Sequence, residues 1–350
     1  EEIAVFYGKE KDPMQNRKII IYVINSARKH LIGHNSTYFH GDDVFLIADE
    51  CHRYGSKENS KIFDAPYSYT LGLSATPERF GDMGFEKKIA PNLGEIIFSY
   101  TYSDALKDGI IPPYKMTRVK VRLTKEELRQ YNEISEKISK LSRVLLSKYP
   151  TLKDCNQSEF YKKLGMLYEE TQDASIIKYT SLLNQRKGII HLSRSKLNAL
   201  KWLIENEYWK DEKILLFHER IEVADEIFNF LREKGFRVGI YHTGLSLDER
   251  IKSIADYRKG VTNILVSCRA LDEGFDVPES EVGVIVAGTS SVRQWIQRMG
   301  RILRRTPDKE YSRIYVVFAD VVEKDVFRET ELREFENEAL SVELINLVYN

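Results

Sequence analysis

Cysteine is scarce: Cys51, Cys155 and Cys268 are the only three in 350 residues, with no C-x-x-C pair and no metal-type spacing. A structural disulfide framework is therefore not expected, and the usage fits a reducing compartment such as the cytoplasm. No apolar run approaches the length of a membrane span and no signal peptide opens the chain, so no membrane partner is expected. Charge of one sign is also lacking: Lys+Arg and Asp+Glu are 53 each, for a net charge of zero. Such a balance neither supports nor excludes nucleic acid as a partner, but it confines any such surface to a local groove. Low-complexity tracts and internal repeats are missing too, and 42% hydrophobic with 30% charged residues is the composition of ordinary folded domains. The chain opens on Glu1 instead of Met, which suggests a processed product or an excised piece.

What the sequence does contain is alternation of strands and helices. Strand-like runs stand at 213–219, 236–242, 263–268, 283–288 and 313–319. Between them, residues 221–234 set Val223, Ile227, Phe228 and Leu231 on one helical face. Residues 246–259 do the same with Leu247, Ile251 and Ile254, opened by the capping box Ser246-x-x-Glu249. A further helix over 291–304 carries Val292, Trp295 and Ile296 beside a row of arginines. Alternation of this kind predicts βαβ units and a parallel sheet covered on both faces. A shorter array of the same kind lies upstream, with strands near 18–24, 44–48, 69–73 and 95–98. Between the two arrays, Thr124-x-x-Glu127 caps an amphipathic helix over 124–149, and 150–190 reads as helical with breaks at Pro150 and Gly165. The expectation is an α/β chain with a first parallel-sheet domain over 1–108, a connector with a helical insertion over 109–190, and a second domain over 191–350.

Four short stretches carry chemistry. In "VFLIADECH" (44–52) a buried strand runs straight into Asp49 and Glu50. Open α/β sheets bind ligands at the carboxyl ends of their strands. One acid there can hold Mg²⁺ while the next handles a water, as in a nucleotide hydrolase. Taken alone, the same residues are equally well a strand end with a solvated turn. "GLSATPER" (72–79) places Ser74 and Thr76 at another strand exit, within reach of those acids, although a plain Thr-Pro turn explains it as well. "VSCRALDEGFDVPE" (266–279) is a loop after a strand, with Gly274 and Asp276. In "QWIQRMGRILRR" (294–305) helical spacing projects Arg301 and Arg304 from one face. Gly300 in mid-pattern costs about 1 kcal/mol of helix propensity, and close approach of a ligand or backbone accounts for it. Arginines brought to a phosphoryl group stabilise transition-state charge.

In this order, the four stretches resemble the motifs of superfamily 2 helicases and translocases, most closely the DExH branch of XPB-like proteins and restriction-system motors. "LLFHERIEVADEIF" (215–228), "YHTGLSLDER" (241–250), "GTSSVRQWIQRMGRILR" (288–304) and "SYTYSDALKDGIIPPY" (99–114) add to the resemblance, which spans nearly the whole chain. It implies two RecA-like domains, the first truncated at its N-terminus, that hydrolyse ATP in a cleft and move on nucleic acid. Asp49 would hold Mg²⁺ through water and Glu50 would orient or deprotonate the attacking water. His52 would bond Gln297 across the cleft. Ser74, Ala75 and Thr76 would couple hydrolysis to movement. Arg301 and Arg304 would be arginine fingers, and Gly274 and Asp276 would approach the nucleotide. Thr243, Gly244 and Ser267 would touch the nucleic-acid backbone through phosphate contacts that do not read sequence. The implied partner is DNA, duplex or a duplex/single-strand junction, in a cytoplasmic, nucleoid-associated protein. Repair, restriction and defence systems are all open as contexts, with a nuclease, if any, on another subunit.

One departure stands out. No G-x-x-x-x-G-K-[ST] phosphate loop occurs; "YGKE" (7–10) lacks the first glycine and the Ser/Thr. ATP hydrolysis by this chain alone is therefore expected to be weak or absent. Two further readings stay open beside the leading one: a nucleic-acid-binding or regulatory scaffold derived from such a motor, and an RNA helicase.

Overall fold

A computed structural model describes residues 2–8, 10–13, 17–39, 44–74, 77, 83–155, 157–207, 209, 212–268, 280–286, 310–320, 323 and 335–347. Two compact units form, Glu1–Ser99 with Lys148–Asp173, and Tyr100–Ser147 with Ala174–Asn350. Residues 109–190 thus contribute to both units.

In the first unit, β1 (Ile3–Tyr7) pairs antiparallel with β2 (Glu10–Lys11) and parallel with β3 (Ile19–Tyr22). Helix α1 (Ile24–His34) packs on this sheet, with the His34 ring 4.8 Å from Phe6 and its Nδ1 sharing a 2.7 Å hydrogen bond with Tyr22 Oη. A separate parallel pair follows, β4 (Phe45–Ala48) and β5 (Tyr69–Gly72), in the register Ala48 opposite Gly72. The short helix α2 (Ala90–Leu93) closes over its end. Among the described residues each of these sheets has one exposed apolar face. Ile3, Ile19 and Ile21 on the first, and Phe45, Ile47 and Tyr69 on the second, are each more than half exposed. The run at 95–98, read as a strand, forms none: Ile96, Ile97 and Phe98 are solvent-exposed and join no sheet among the described residues. Apolar content alone does not make a strand where no edge pairs with it.

The second unit starts with α3 (Tyr102–Lys107) and β6 (Tyr114–Val121), then α4 (Lys125–Lys148). The α4 capping box forms as read, with Glu127 Oε2 accepting from Thr124 N at 2.9 Å. The same carboxylate accepts from Arg194 N at 2.8 Å and from Ser193 Oγ at 3.2 Å, so one side chain ties together the starts of two helices. Helix α5 (Gln157–Thr171) belongs to the first unit, where Lys162 pairs with Glu86 and Leu164 is buried. It runs unbroken through Gly165, since its fourteen other residues carry the helix past a single propensity cost of about 1 kcal/mol. The chain continues through α6 (Ala174–His191), α7 (Arg194–Asn206), β7 (Ile214–His218), α8 (Ile221–Glu233), β8 (Val238–Tyr241), α9 (Leu247–Arg258), β9 (Ile264–Cys268), β10 (Val282–Ile285), β11 (Ser312–Ala319) and β12 (Ser341–Leu347).

All pairings in the resulting sheet are parallel, in the order β12-β6-β11-β10-β7-β9-β8. Its strands β7, β9 and β10 are buried at every residue, as a sheet covered on both faces requires. On one face Leu200, Leu203, Ala224, Ile227 and Leu231 of α7 and α8 pack on Leu216, Val266 and Val284; on the other, Ile254 and Tyr257 of α9 pack on Leu215, Phe217 and Leu265. Leu247 and Ile251, expected on the buried stripe of α9, are half exposed; the helix turns Ile254 and Tyr257 inward instead. At the end of β11, Lys196 of α7 is buried to 1% exposure and lies 2.6 Å from Glu323, whose carboxylate also accepts from Ala319 N at 2.6 Å. Removing one partner of such a pair strands a charge in the core. Lys196→Ala is expected to lower the unfolding free energy by about 3 kcal/mol, whereas Lys234→Ala, which breaks an exposed pair with Glu205, changes it by less than about 0.5 kcal/mol. Urea denaturation of both variants measures the difference.

Candidate active site

The register of β4 and β5 sets the geometry. Because Ala48 lies opposite Gly72, the residues that follow each strand leave the sheet at the same end. Leu73 N donates to Ala48 O at 3.0 Å, and Cys51 N to Leu73 O at 2.8 Å, which laces the two exits together. Asp49 is exposed, and its Oδ1 accepts from Glu50 N at 2.9 Å. Glu50 sits at φ +49° and ψ +47°, a left-handed conformation that a side chain seldom adopts. Such backbone is held by its surroundings and clusters at functional sites. It ends the strand abruptly and starts the 3₁₀ turn Cys51–Gly55, which carries His52 under the acids.

His52 is 5% exposed; its Nδ1 lies 3.0 Å from Ser74 Oγ and 3.2 Å from Glu50 Oε2. One imidazole thus joins the second acid to the hydroxyl at the end of β5. The sequence allowed Ser74 to reach the acids; the contact runs through His52. Cys51 is a small buried filler, packed with Ala48 and Ile89 and flanked by Tyr54 and Leu93. Burial first, and then the charge of Glu50, pushes its thiol pKa up, so it stays protonated. Among the described residues no cluster of three or more His, Cys, Asp or Glu forms a metal cage. A lone exposed Asp at a strand end does suit Mg²⁺, which keeps waters and is held by one or two carboxylates together with substrate phosphates.

In the second unit, Thr243 and Gly244 are exposed at the turn between β8 and α9, at the carboxyl end of the sheet. Ser267, near the end of β9, is fully buried and offers no surface to a polymer; its Oγ has no hydrogen-bond partner among the described residues. Ala75, Thr76, Gly274, Asp276, Gln297, Arg301 and Arg304 lie outside the described residues.

Two family models match the chain: "type III restriction enzyme, res subunit" over residues 1–79 and "helicase conserved C-terminal domain" over 195–306. The first takes in Asp49, Glu50, His52 and Ser74; the second takes in Thr243 and Gly244. Over 295 residues the chain is 30% identical to the DNA 3'-5' translocase XPB2 of Sulfurisphaera tokodaii, covering 82% of this chain and 62% of that protein. The chain belongs to the superfamily 2 helicases and translocases.

Another relative is putative helicase 22 of a Sulfolobus islandicus filamentous virus, 26% identical over 76% of this chain and 41% of that protein. The chain therefore spans between about two-fifths and three-fifths of these relatives. In fold it is similar to a fragment of a putative HsdR subunit of a type I restriction enzyme from Vibrio vulnificus (TM-score 0.58, 15% identity, 99% of this chain and 55% of that one). It is also similar to the Hef helicase domain of Pyrococcus furiosus (TM-score 0.50, 18% identity, 93% and 82%).

Two features of this candidate site escaped the sequence. The first is the His52–Ser74 contact, since residues 22 apart meet only through the β4–β5 register. The second is Gly55, at the end of the 3₁₀ turn: a Cβ there would lie 2.8 Å from Gly84 Cα and 3.0 Å from Gly84 C. Backbone against backbone has no flexible end to yield. Gly55→Ala is expected to destabilise the first unit by about 1–3 kcal/mol, read as faster amide exchange across 45–73 with exchange across 214–266 unchanged.

Proposed function

We propose that this chain is the motor part of an ATP-dependent DNA translocase or helicase, with first and second motor domains over 1–108 and 191–350 and a connector with a helical insertion over 109–190. The observation that carries the reading is the arrangement of Asp49, Glu50 and His52 at the end of β4, hydrogen-bonded through His52 to Ser74 at the end of β5. Asp49 would hold Mg²⁺, which when bound would supply positive charge beside the phosphates of ATP. Glu50, half-open to solvent and held by its left-handed backbone, orients or deprotonates the attacking water. Movement of the γ-phosphate is felt at Glu50, passes to His52, and reaches the loop of Ser74, Ala75 and Thr76. Arg301 and Arg304 supply positive charge to the transferring phosphoryl group. Gly274 and Asp276 approach the nucleotide. Thr243 and Gly244 meet a DNA phosphate. The relative named as a DNA 3'-5' translocase favours DNA over RNA.

The phosphate loop has to be supplied as well. Parallel strands are found with both faces covered, yet Phe45, Ile47 and Tyr69 leave one face of β4 and β5 bare beside the acids. This supports a working form in which a polypeptide segment bearing the phosphate loop lies against that face. The second reading is a nucleotide-independent nucleic-acid-binding module or regulatory scaffold.

ATP hydrolysis by this chain with and without duplex DNA, beside Glu50→Gln and Ser74→Ala, separates the two readings. Weak or no turnover is expected from the chain alone. When a segment carrying the phosphate loop is joined or added, DNA-stimulated turnover is expected to appear. It should fall by two orders of magnitude or more (about 10²-fold) in Glu50→Gln. In Ser74→Ala basal hydrolysis should persist with its DNA stimulation lost. DNA binding with no turnover even then favours the binding module.

A further inference from the structure

The sequence gives no reason to separate His242 from the chain's other histidines, yet its surroundings set it apart. The ring is 4% exposed at the end of β8, and both its nitrogens are engaged. Nδ1 accepts from the backbone N–H of Gly244 at 3.1 Å, and Nε2 lies 3.1 Å from Asp225 Oδ1 on α8. An imidazole nitrogen that accepts carries no proton, so the ring proton sits on Nε2 and points to the carboxylate. Acceptance from the N–H two residues ahead is the bond by which Asn and Asp side chains build turns; here an imidazole makes it.

The turn is fixed from other directions as well. Leu245 N donates to His242 O at 3.1 Å, closing the turn over Thr243 and Gly244. Ser246 then caps α9 reciprocally with Glu249. Gly244 fits only because it has no side chain, since a Cβ would lie 3.0 Å from Nδ1 and 3.2 Å from Cε1 of the ring. Its N–H is taken by His242, so in any contact with a phosphodiester Gly244 offers close approach, and donation falls to Thr243.

We propose that His242, braced by Asp225, is a positioning residue that presents the exposed Thr243–Gly244 turn to a nucleic-acid phosphate. The proposal rests on the nucleic-acid reading of the preceding section. His242 touches no substrate; it acts by holding the backbone that does. Asp225 joins the N-terminal part of α8 to this turn, so two segments at the carboxyl end of the sheet are held as one piece.

The test compares His242→Phe, which keeps the ring volume without an acceptor, with His242→Asn, whose amide oxygen can take the Gly244 N–H. Asp225→Ala, at a half-exposed site, is a third variant that leaves the core untouched. Two readouts are taken on the whole chain: amide exchange across 243–245, and affinity for a duplex DNA by fluorescence anisotropy at fixed salt. Loss of both ring contacts in His242→Phe is expected to speed exchange and weaken DNA binding, each by at least about three- to tenfold. His242→Asn is expected to restore both, and Asp225→Ala to move both in the same direction as His242→Phe by less. Unchanged exchange in His242→Phe and Asp225→Ala overturns the brace. Faster exchange with unchanged DNA affinity overturns the positioning role. A His242→Asn variant as impaired as His242→Phe assigns the effect to ring packing and overturns it too. If the wild-type chain binds no DNA, the nucleic-acid reading fails and this proposal with it, while the exchange data still report on the turn itself.

Discussion

Parallel strands are stable when both faces are covered, and much of this molecule follows from how far each unit meets that constraint. In the second unit α7 and α8 lie on one side and α9 on the other, and β7, β9 and β10 have no exposed residue. In the first, β4 and β5 are a pair with one bare apolar face. The acids sit at the end of this incompletely covered pair. The candidate residues for water and metal thus lie at the end of a strand pair with an exposed apolar face.

Both candidate sites use a buried histidine as a mechanical part. His52 joins Glu50 to Ser74, and His242 joins Asp225 to the Thr243–Gly244 turn. His242 does this with one ring nitrogen on each side, whereas His52 meets both Glu50 and Ser74 through Nδ1. Asp49, Thr243 and Gly244 are exposed while the histidine beside each is shielded, so solvent does not compete for its hydrogen bonds.

Much of the fold was legible in the residues. The capping boxes Thr124-x-x-Glu127 and Ser246-x-x-Glu249 mark helix starts within one residue, because their reciprocal bonds are local. The apolar runs of β7, β9 and β11 announce buried parallel strands. The failures have local causes as well. The run at 95–98 is apolar but joins no sheet among the described residues, Gly165 is outweighed by its helix, and Leu247 and Ile251 lie outside the buried part of α9. Residue type and position also singled out Asp49, Glu50 and Ser74, because strand-end acids and hydroxyls are recognisable chemistry at recognisable places, while His52 entered through the family resemblance.

Sequence by itself determined most element types, the parallel α/β class and the motif order that marks superfamily 2. Each of these depends on neighbours within a few residues or on the identity of a short stretch. Tertiary structure alone decided that Ala48 lies opposite Gly72 and brings His52 to Ser74, that Gly55 meets the backbone of Gly84, that Ser267 is buried, and that His242 braces a turn against Asp225 on another helix. These are meetings of residues 17 to 29 positions apart, or the burial of a side chain by distant elements. They are set by strand register and layer packing, which no local pattern encodes.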